Sequence, residues 1–343
     1  MQIAPRKLRI LLLTYPDHVP PELIGKTDLQ KVDWKLEWDV VQALKNLGQD
    51  VLVQGIGSDL EPIQRSIESF RPHIVFNLLD EFDGNTLFDQ NVVSYLELMG
   101  TSYTGCNPRG LMLARDKALA KKIFSFHQIP APDFVCIPKQ RKARRPEGLK
   151  FPLFVKSLVE DASLGIAKAS IVRDEEKLRE RIDFIHESVG TDALVESYIE
   201  GREFYVGVWG NLRPQTLPVW ELLFKNAPED LPRIATRRVK WNPAYQERYG
   251  ITSGPAEGLT QDQKDRIQRV CLDAYRALGI TGYARIDLRM NSQGEIFVLE
   301  ANPNPHIGRD EDFADSAEFA GFSYEKMVWR ILHLGLNHSQ SSS

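Results

Sequence analysis

The chain has 343 residues, 42% of them hydrophobic and 26% charged, and its 43 Lys and Arg against 47 Asp and Glu leave a net charge of -4. That is enough apolar matter for two or three cores, and it excludes a disordered or collagen-like chain. The slight acidic balance argues against nucleic acid as a partner, and no apolar run approaches the ~20 residues of a membrane helix. The three cysteines, Cys106, Cys136 and Cys271, are odd in number and far apart. They point away from a disulfide framework and toward a reducing, cytoplasmic setting. The opening run MQIAPRKLRILLLTYPDH has a basic start and a short apolar stretch but no small-residue cleavage site. It reads as a first strand rather than a signal peptide.

In chain order, strand patterns fall at Leu8–Leu13, Asp50–Gln54 and His73–Leu78, with helical patterns at Asp33–Leu47 and Leu60–Phe70 between them. Strands alternating with helices predict an open parallel sheet. Residues 87–99 and Asp116–Phe126 read as two more helices, after which Pro130 and Pro132 break the chain. The basic stretch Lys139, Arg141, Lys142, Arg144, Arg145 has no interleaved aromatics and reads as a solvated connecting loop. From Phe151 the pattern turns antiparallel: FPLFVKS and KASIVR as a hairpin, a helix over Asp174–Ser188, then strands ALVESYI and EFYVGVWG. Residues 225–258 show little periodicity, the mark of a functional or mobile segment. Thr260–Leu278 is a helix with a capping box from Thr260 and Gln263. Strands Gly282–Met290 and Glu295–Ala301 follow, then a helix over Ser323–Leu336 and a tail.

The last two strands carry the strongest chemical signal. Folded about Asn291–Gly294, they set Asp287 opposite Glu300 and Arg285 opposite Asn302. Side chains two apart share a strand face, so two carboxylates, an amide and a guanidinium meet on one surface. Hard oxygen ligands at that density suit Mg²⁺, which commonly takes one or two carboxylates and fills its shell with phosphate oxygens and water. A salt-bridged solvent face is the alternative, but Ile286, Leu288, Val298 and Leu299 flank the acids and favour the metal. Lys156, in a strand of Phe, Leu and Val, needs an anionic partner. Lys117 and Lys240 are further candidate cations for phosphate; taken one at a time, each of the three lysines also fits a plain surface role. The loop Glu160–Gly165 between two strands offers backbone N–H groups to the same anion.

The ordered set Asp116-Lys117, Phe154-Val155-Lys156, Ser163-Leu164-Gly165, Val195–Phe204, Lys240-Trp241, Ala284–Asp287 and Leu299–Pro303 resembles the ATP-grasp superfamily, most closely the D-alanine–D-alanine ligases. Asp83-Gly84 and Leu96–Gly105 are similar to that family too, and the likeness covers roughly residues 75–335. It implies a mixed α/β and α+β ATP-grasp fold. Its units would be an N-terminal Rossmann-like parallel-sheet domain over 1–115, a small central subdomain over 116–195 and a C-terminal subdomain over 196–336, with a disordered tail over 337–343.

The resemblance also implies roles. Lys117 and Lys156 would contact ATP phosphates, under a lid containing Ser163 and Gly165. Glu196, Tyr198, Ile199 and Glu203 would hold adenine and ribose, and Lys240 would reach the γ-phosphate. Asp287, Glu300 and Asn302 would hold two Mg²⁺ ions, with Mn²⁺ as the alternative, and Arg285 would steady a tetrahedral intermediate. The implied reaction joins a small carboxylate to an amine through an acyl phosphate, in a protein with homodimers among its relatives.

The amino-acid subsites differ from the family pattern. Asp33 and Glu37 are the candidates for the family's ammonium-binding glutamate, Ala162 stands for a lid serine and Trp241 for a lid tyrosine. Asn304, His306 and Arg309 replace the second-substrate loop. Arg309 suits a substrate carboxylate or a plain surface role. His306 is read as a loop histidine before a base. Two other functions fit the same residues: a ligase that extends a peptide, protein or larger metabolite, and a nucleotide-binding regulator without turnover. The intact Asp287, Glu300, Asn302, Arg285 and Lys156 set weighs against the second.

Overall fold

The computed structural model describes residues 7–22, 27–141, 147–159, 166–228 and 231–338. The first unit runs β1 (Arg9–Thr14), α1 (Lys35–Asn46), β2 (Asp50–Gly55), α2 (Glu61–Phe70) and β3 (Ile74–Asn77), then α3 (Asp89–Leu98), α4 (Pro108–Arg115) and α5 (Lys117–Phe126). Its sheet is parallel with order β2-β1-β3, as expected. The unbroken apolar run of β1 follows from burial on both faces. Leu11, Leu13 and Val75 pack toward α2, α3 and α4, while Ile10, Leu12, Ile74 and Phe76 pack toward α1 and the last helix. The helix α4 was not anticipated; Pro108 at its first turn and the Asn107 cap, which accepts from the Gly110 N–H, are its local causes.

The next unit holds β4 (Phe134–Ile137), β5 (Leu153–Ser157), β6 (Ile171–Val172), α6 (Glu175–Phe184) and β7 (Ala193–Ser197). Its antiparallel sheet has order β4-β7-β5-β6. The expected hairpin exists but is short: Lys168–Ser170 forms a 3-10 turn, and only Ile171 and Val172 pair with β5. The helix α6 lays Leu178 and Ile182 on Leu153, Val155 and Val195. Asp174 caps it by accepting from the Lys177 N–H.

The third sheet is assembled from β8 (Arg202–Trp209), β9 (Gln215–Thr216), β10 (Trp220–Phe224), β11 (Ile251–Pro255), β12 (Tyr283–Met290) and β13 (Ile296–Pro303), in the order β11-β10-β8-β12-β13 with β9 on β8. Between strands come α7 (Arg237–Trp241), α8 (Pro243–Tyr249) and α9 (Gln261–Ala277), and α10 (Asp312–Phe319) and α11 (Tyr324–His338) follow β13. The segment 225–258 is therefore more regular than its sequence suggests. Caps at Thr236 and Asn242 start two short helices, and β11 pairs along the whole of β10. The expected capping box of α9 is formed. The helix α11 runs two residues past Leu336, and its Met327, Val328, Ile331 and Leu332 return to cover the first sheet.

Candidate active site

The hairpin β12–β13 pairs as expected: Asp287 faces Glu300 and Arg285 faces Asn302. The register that achieves this is not uniform. Met290, Arg289 and Leu288 pair with Ile296, Phe297 and Val298, and the ladder then shifts by one residue, leaving Leu299 extra. In a regular strand Val298 and Glu300 would point the same way. The bulge separates them, keeping Val298 in the core while Leu299 and Glu300 both line the cleft.

Around these acids stand cations from other elements. Lys117, at the start of α5, and Lys156, on β5, bring Nζ within 3.9 and 4.0 Å of Glu300 Oε2. Burial would raise the Glu300 carboxyl, but Lys117, Lys156, Lys240 and Arg285 pull it down to about 2. Glu300 is thus a carboxylate at all working pH values. Arg285 is otherwise engaged: Nε and Nη2 donate to the two Asp287 oxygens at 2.7 and 2.9 Å, and the guanidinium lies 4.9 Å from the Tyr205 ring. Burial opposes its charge, yet the Asp287 pairing holds it firmly protonated.

Behind the lysines lies a buried triad that composition did not reveal. Glu196 Oε1 sits 3.1 Å from Lys156 Nζ and Oε2 sits 3.0 Å from Lys121 Nζ. Burial works against the Glu196 charge, and the two ammonium groups more than offset it, holding the carboxyl below its usual range. Burial pulls the Lys121 ammonium down against the opposing charge of Glu196. The signal for Lys121 was available: Lys117, Lys121 and Phe124 lie on the buried face of α5, where two lysines have no business without acids.

A cleft of about 580 Å³, open solvent at its mouth included, runs between the second and third sheets. Phe154, Tyr198, Ile199, Ile234 and Leu299 give it an apolar wall, and Lys156, Glu196, Glu203, Lys240, Asp287 and Glu300 line it as well. Tyr198 stacks on Phe154 with centroids 6.4 Å apart. Nine of the residues expected in a nucleotide and metal site (Lys117, Lys156, Glu196, Tyr198, Ile199, Glu203, Lys240, Asp287 and Glu300) therefore converge in and beside one space. Asn302 joins Lys117 and Glu300 in an adjoining small pocket, and its buried amide nitrogen has no acceptor among the described residues. Ser163 and Gly165, with the whole of residues 160–165, lie outside the described residues, as do Lys142, Arg144 and Arg145 of the basic stretch.

A family model described as D-ala D-ala ligase C-terminus matches residues 123–333, more than half of the chain. The chain belongs to this family. An uncharacterised protein of Sinorhizobium fredii is 30% identical over 85% of each chain. A D-alanine–D-alanine ligase of Desulforudis audaxviator is 29% identical over 86% of this chain and 90% of its own. The crystal structure of the Bacillus anthracis D-alanine–D-alanine ligase complexed with ATP superposes with a TM-score of 0.76 at 21% identity, covering 98% of this chain and all of that one; at that identity the match speaks for the fold. The family is an ATP-grasp family of ATP-dependent carboxylate–amine ligases, and this member keeps its fold and reaction class.

At the substrate end this ligase-family member places its expected residues less uniformly. Arg309 donates from Nη2 to Glu325 at 2.8 Å, lies 4.2 Å over the Tyr324 ring and sits 3.9 Å from Asp39. Its side chain thus braces the loop against α1 and α11. Asn304 accepts from the Cys106 N–H at 2.8 Å and joins the hairpin to the first unit. Trp241 is 63% exposed at the end of α7. His306 is half-exposed, with Nδ1 3.7 Å from Glu311. Partial burial lowers its ring below the ordinary histidine value, with Glu37 pulling upward and Lys35 adding to the fall. Of the two acids considered on the first crossover, Asp33 is exposed and Glu37 is buried. Glu37 Oε1 accepts from Thr14 Oγ1 at 2.6 Å and lies 3.4 Å from His18 Nδ1, while Oε2 is buried with no hydrogen-bond partner among the described residues.

The donor set fits Mg²⁺ and phosphate better than a closed metal cage. Among the described residues no three His, Cys, Asp or Glu side chains converge as a cage. Two facing carboxylates, an amide with an orphaned donor and nearby lysines are what a metal completed by phosphate oxygens requires.

Proposed function

We propose that this enzyme phosphorylates the carboxylate of a small, ammonium-bearing substrate and passes the acyl group to an amine. The observation that carries this reading is the Asp287–Glu300 pair, facing across the hairpin with Lys117 and Lys156 within 4.0 Å of Glu300. Bound there through Asp287, Glu300 and Asn302, Mg²⁺ would screen phosphate charge and polarise the transferring group.

The protein's own groups do the rest. The Phe154–Tyr198 wall holds the base, while Glu196 and Glu203 fix the polar edges of the nucleoside. Lys117, Lys156 and Lys240 neutralise charge on the phosphates. A free carboxylate resists attack because its leaving group is oxide; an acyl phosphate leaves as phosphate. When the amine adds, negative charge grows on the former carboxyl oxygen. The edge of Arg285 turned away from Asp287 stabilises it, and the Asp287 bonds keep that guanidinium oriented beforehand.

Glu37 supports the substrate class. A carboxylate oxygen buried without a donor is costly, and a substrate ammonium answers it with a charge-assisted bond. His306, whose ring feels Glu37, would border the same end of the site.

Product mass spectrometry tests the reading. The enzyme is incubated with MgATP and pooled D- and L-amino acids, beside an Asp287→Ala control. Expected are ADP and a new mass equal to two substrates less water, both absent from the control. ADP without a condensed product would shift the acceptor to a peptide, protein or larger metabolite. The absence of both ADP and a condensed mass would count against ligase turnover on this substrate class.

A further inference from the structure

Lys121 is as buried as any charge in the molecule, yet it is not among the residues lining the nucleotide cleft. It approaches from the back, out of α5, with its Nζ 3.0 Å from Glu196 Oε2 and 5.9 Å from the Phe134 ring centroid. The other Glu196 oxygen faces Lys156 Nζ at 3.1 Å. Side-chain exposures of 1% for Lys121, 3% for Glu196 and 5% for Lys156 leave water little part in balancing these charges. In such a place a carboxylate must be compensated by protein groups.

Were Lys156 the sole partner of Glu196, the two would form a closed, neutral pair, and Lys156 would have little to offer a phosphate. With Lys121 present, Glu196 divides its charge between two ammonium groups, one on each carboxylate oxygen. We propose that Lys121 is a positioning residue for nucleotide binding: by sharing the charge of Glu196 from behind, it releases Lys156 to bind a phosphate oxygen. The inference rests on the reading above that Lys156 meets the triphosphate.

The test is a mutant cycle read by calorimetric titration with MgATP and with magnesium tripolyphosphate, the latter lacking the base and ribose that Glu196 would also touch. Lys121→Met binds tripolyphosphate at least ~10-fold more weakly than wild type, the scale on which uncompensated buried charges act. Lys121→Met/Glu196→Gln regains most of that loss, because removing the carboxylate frees Lys156 again. A Lys121→Met protein with altered melting temperature but unchanged affinity would overturn the proposal, as would a double variant no better than the single. Should Lys121→Met alone not fold, the double variant is compared with Glu196→Gln. Equal tripolyphosphate affinity supports action through Glu196, and a further loss in the double variant refutes it. The wild-type MgATP arm separates the two ideas: absent binding there defeats the functional reading itself, and this inference with it.

Discussion

Glu300 lies within 4.0 Å of two ammonium groups and opposite a second carboxylate, so the cations that hold its charge stand where a phosphate would meet them. Asp287→Asn keeps the side-chain shape but removes one charge from the metal set and loosens Arg285. Turnover is expected to fall by about 10²–10³-fold, as when a preorganised charge is lost, and the melting temperature to fall with it, because the buried Arg285 loses its partner; an ADP-release assay beside a thermal melt checks both. Glu37→Gln should act differently. If Glu37 holds a substrate ammonium, KM for that substrate rises by about 10–10²-fold, the worth of a charged hydrogen bond, while KM for ATP stays put. An unchanged amino-acid KM would remove Glu37 from the site.

At the scale of elements, the β12–β13 hairpin was readable because a two-residue period and one turn place its side chains without outside help. The bulge at Leu299 was not readable, since it emerges from competition between core burial of Val298 and the cleft-facing Glu300. Lys121 and Glu37 were legible only in part: the buried face of α5 marked the first and the family likeness the second, but neither named its partner. Each looks like an ordinary charge on an amphipathic helix until a strand from elsewhere supplies Glu196 or Thr14. The helix α10 carries a separate consequence. Burial and the crowding of Asp310, Asp312, Glu318 and Glu311 raise the Asp315 carboxyl from 3.8 to about 6. Between those values the folded state holds more protons than the unfolded one, so this residue's contribution to stability declines as pH rises through the window. Above about 6 the full penalty is present. Asp315→Asn should therefore raise the melting temperature at neutral pH and leave it unchanged where Asp315 is protonated in both states. Melts across that range decide it.

Over the whole molecule, the first unit is tied closely to the β12–β13 hairpin and the elements around it. The helix α11 comes back to cover the first sheet, and Gly105 packs against Asn304. At φ +98° Gly105 takes a left-handed backbone, and a Cβ there would lie 2.5 Å from Asn304 Oδ1. Gly105→Ala should cost about 1–3 kcal/mol, the range of local backbone strain, and lower kcat by disturbing the chain just past Asn302. Denaturant melts and steady-state kinetics would show the two losses together; a stable but inactive variant would contradict this coupling. The order of motifs along the chain made the family legible, because phosphate and metal residues recur in fixed sequence. The joints were illegible, because a glycine and an asparagine almost 200 positions apart give no local sign of meeting.

A substrate carboxylate activated by direct phosphoryl transfer gives up one of its own oxygens to phosphate when the amine displaces it. The most direct measurement supplies pooled amino acids carrying heavy oxygen in their carboxyl groups, together with MgATP, and weighs the inorganic phosphate released. One heavy oxygen is expected to move into phosphate for each condensed product formed. Phosphate released without the label, while product accumulates, would contradict it.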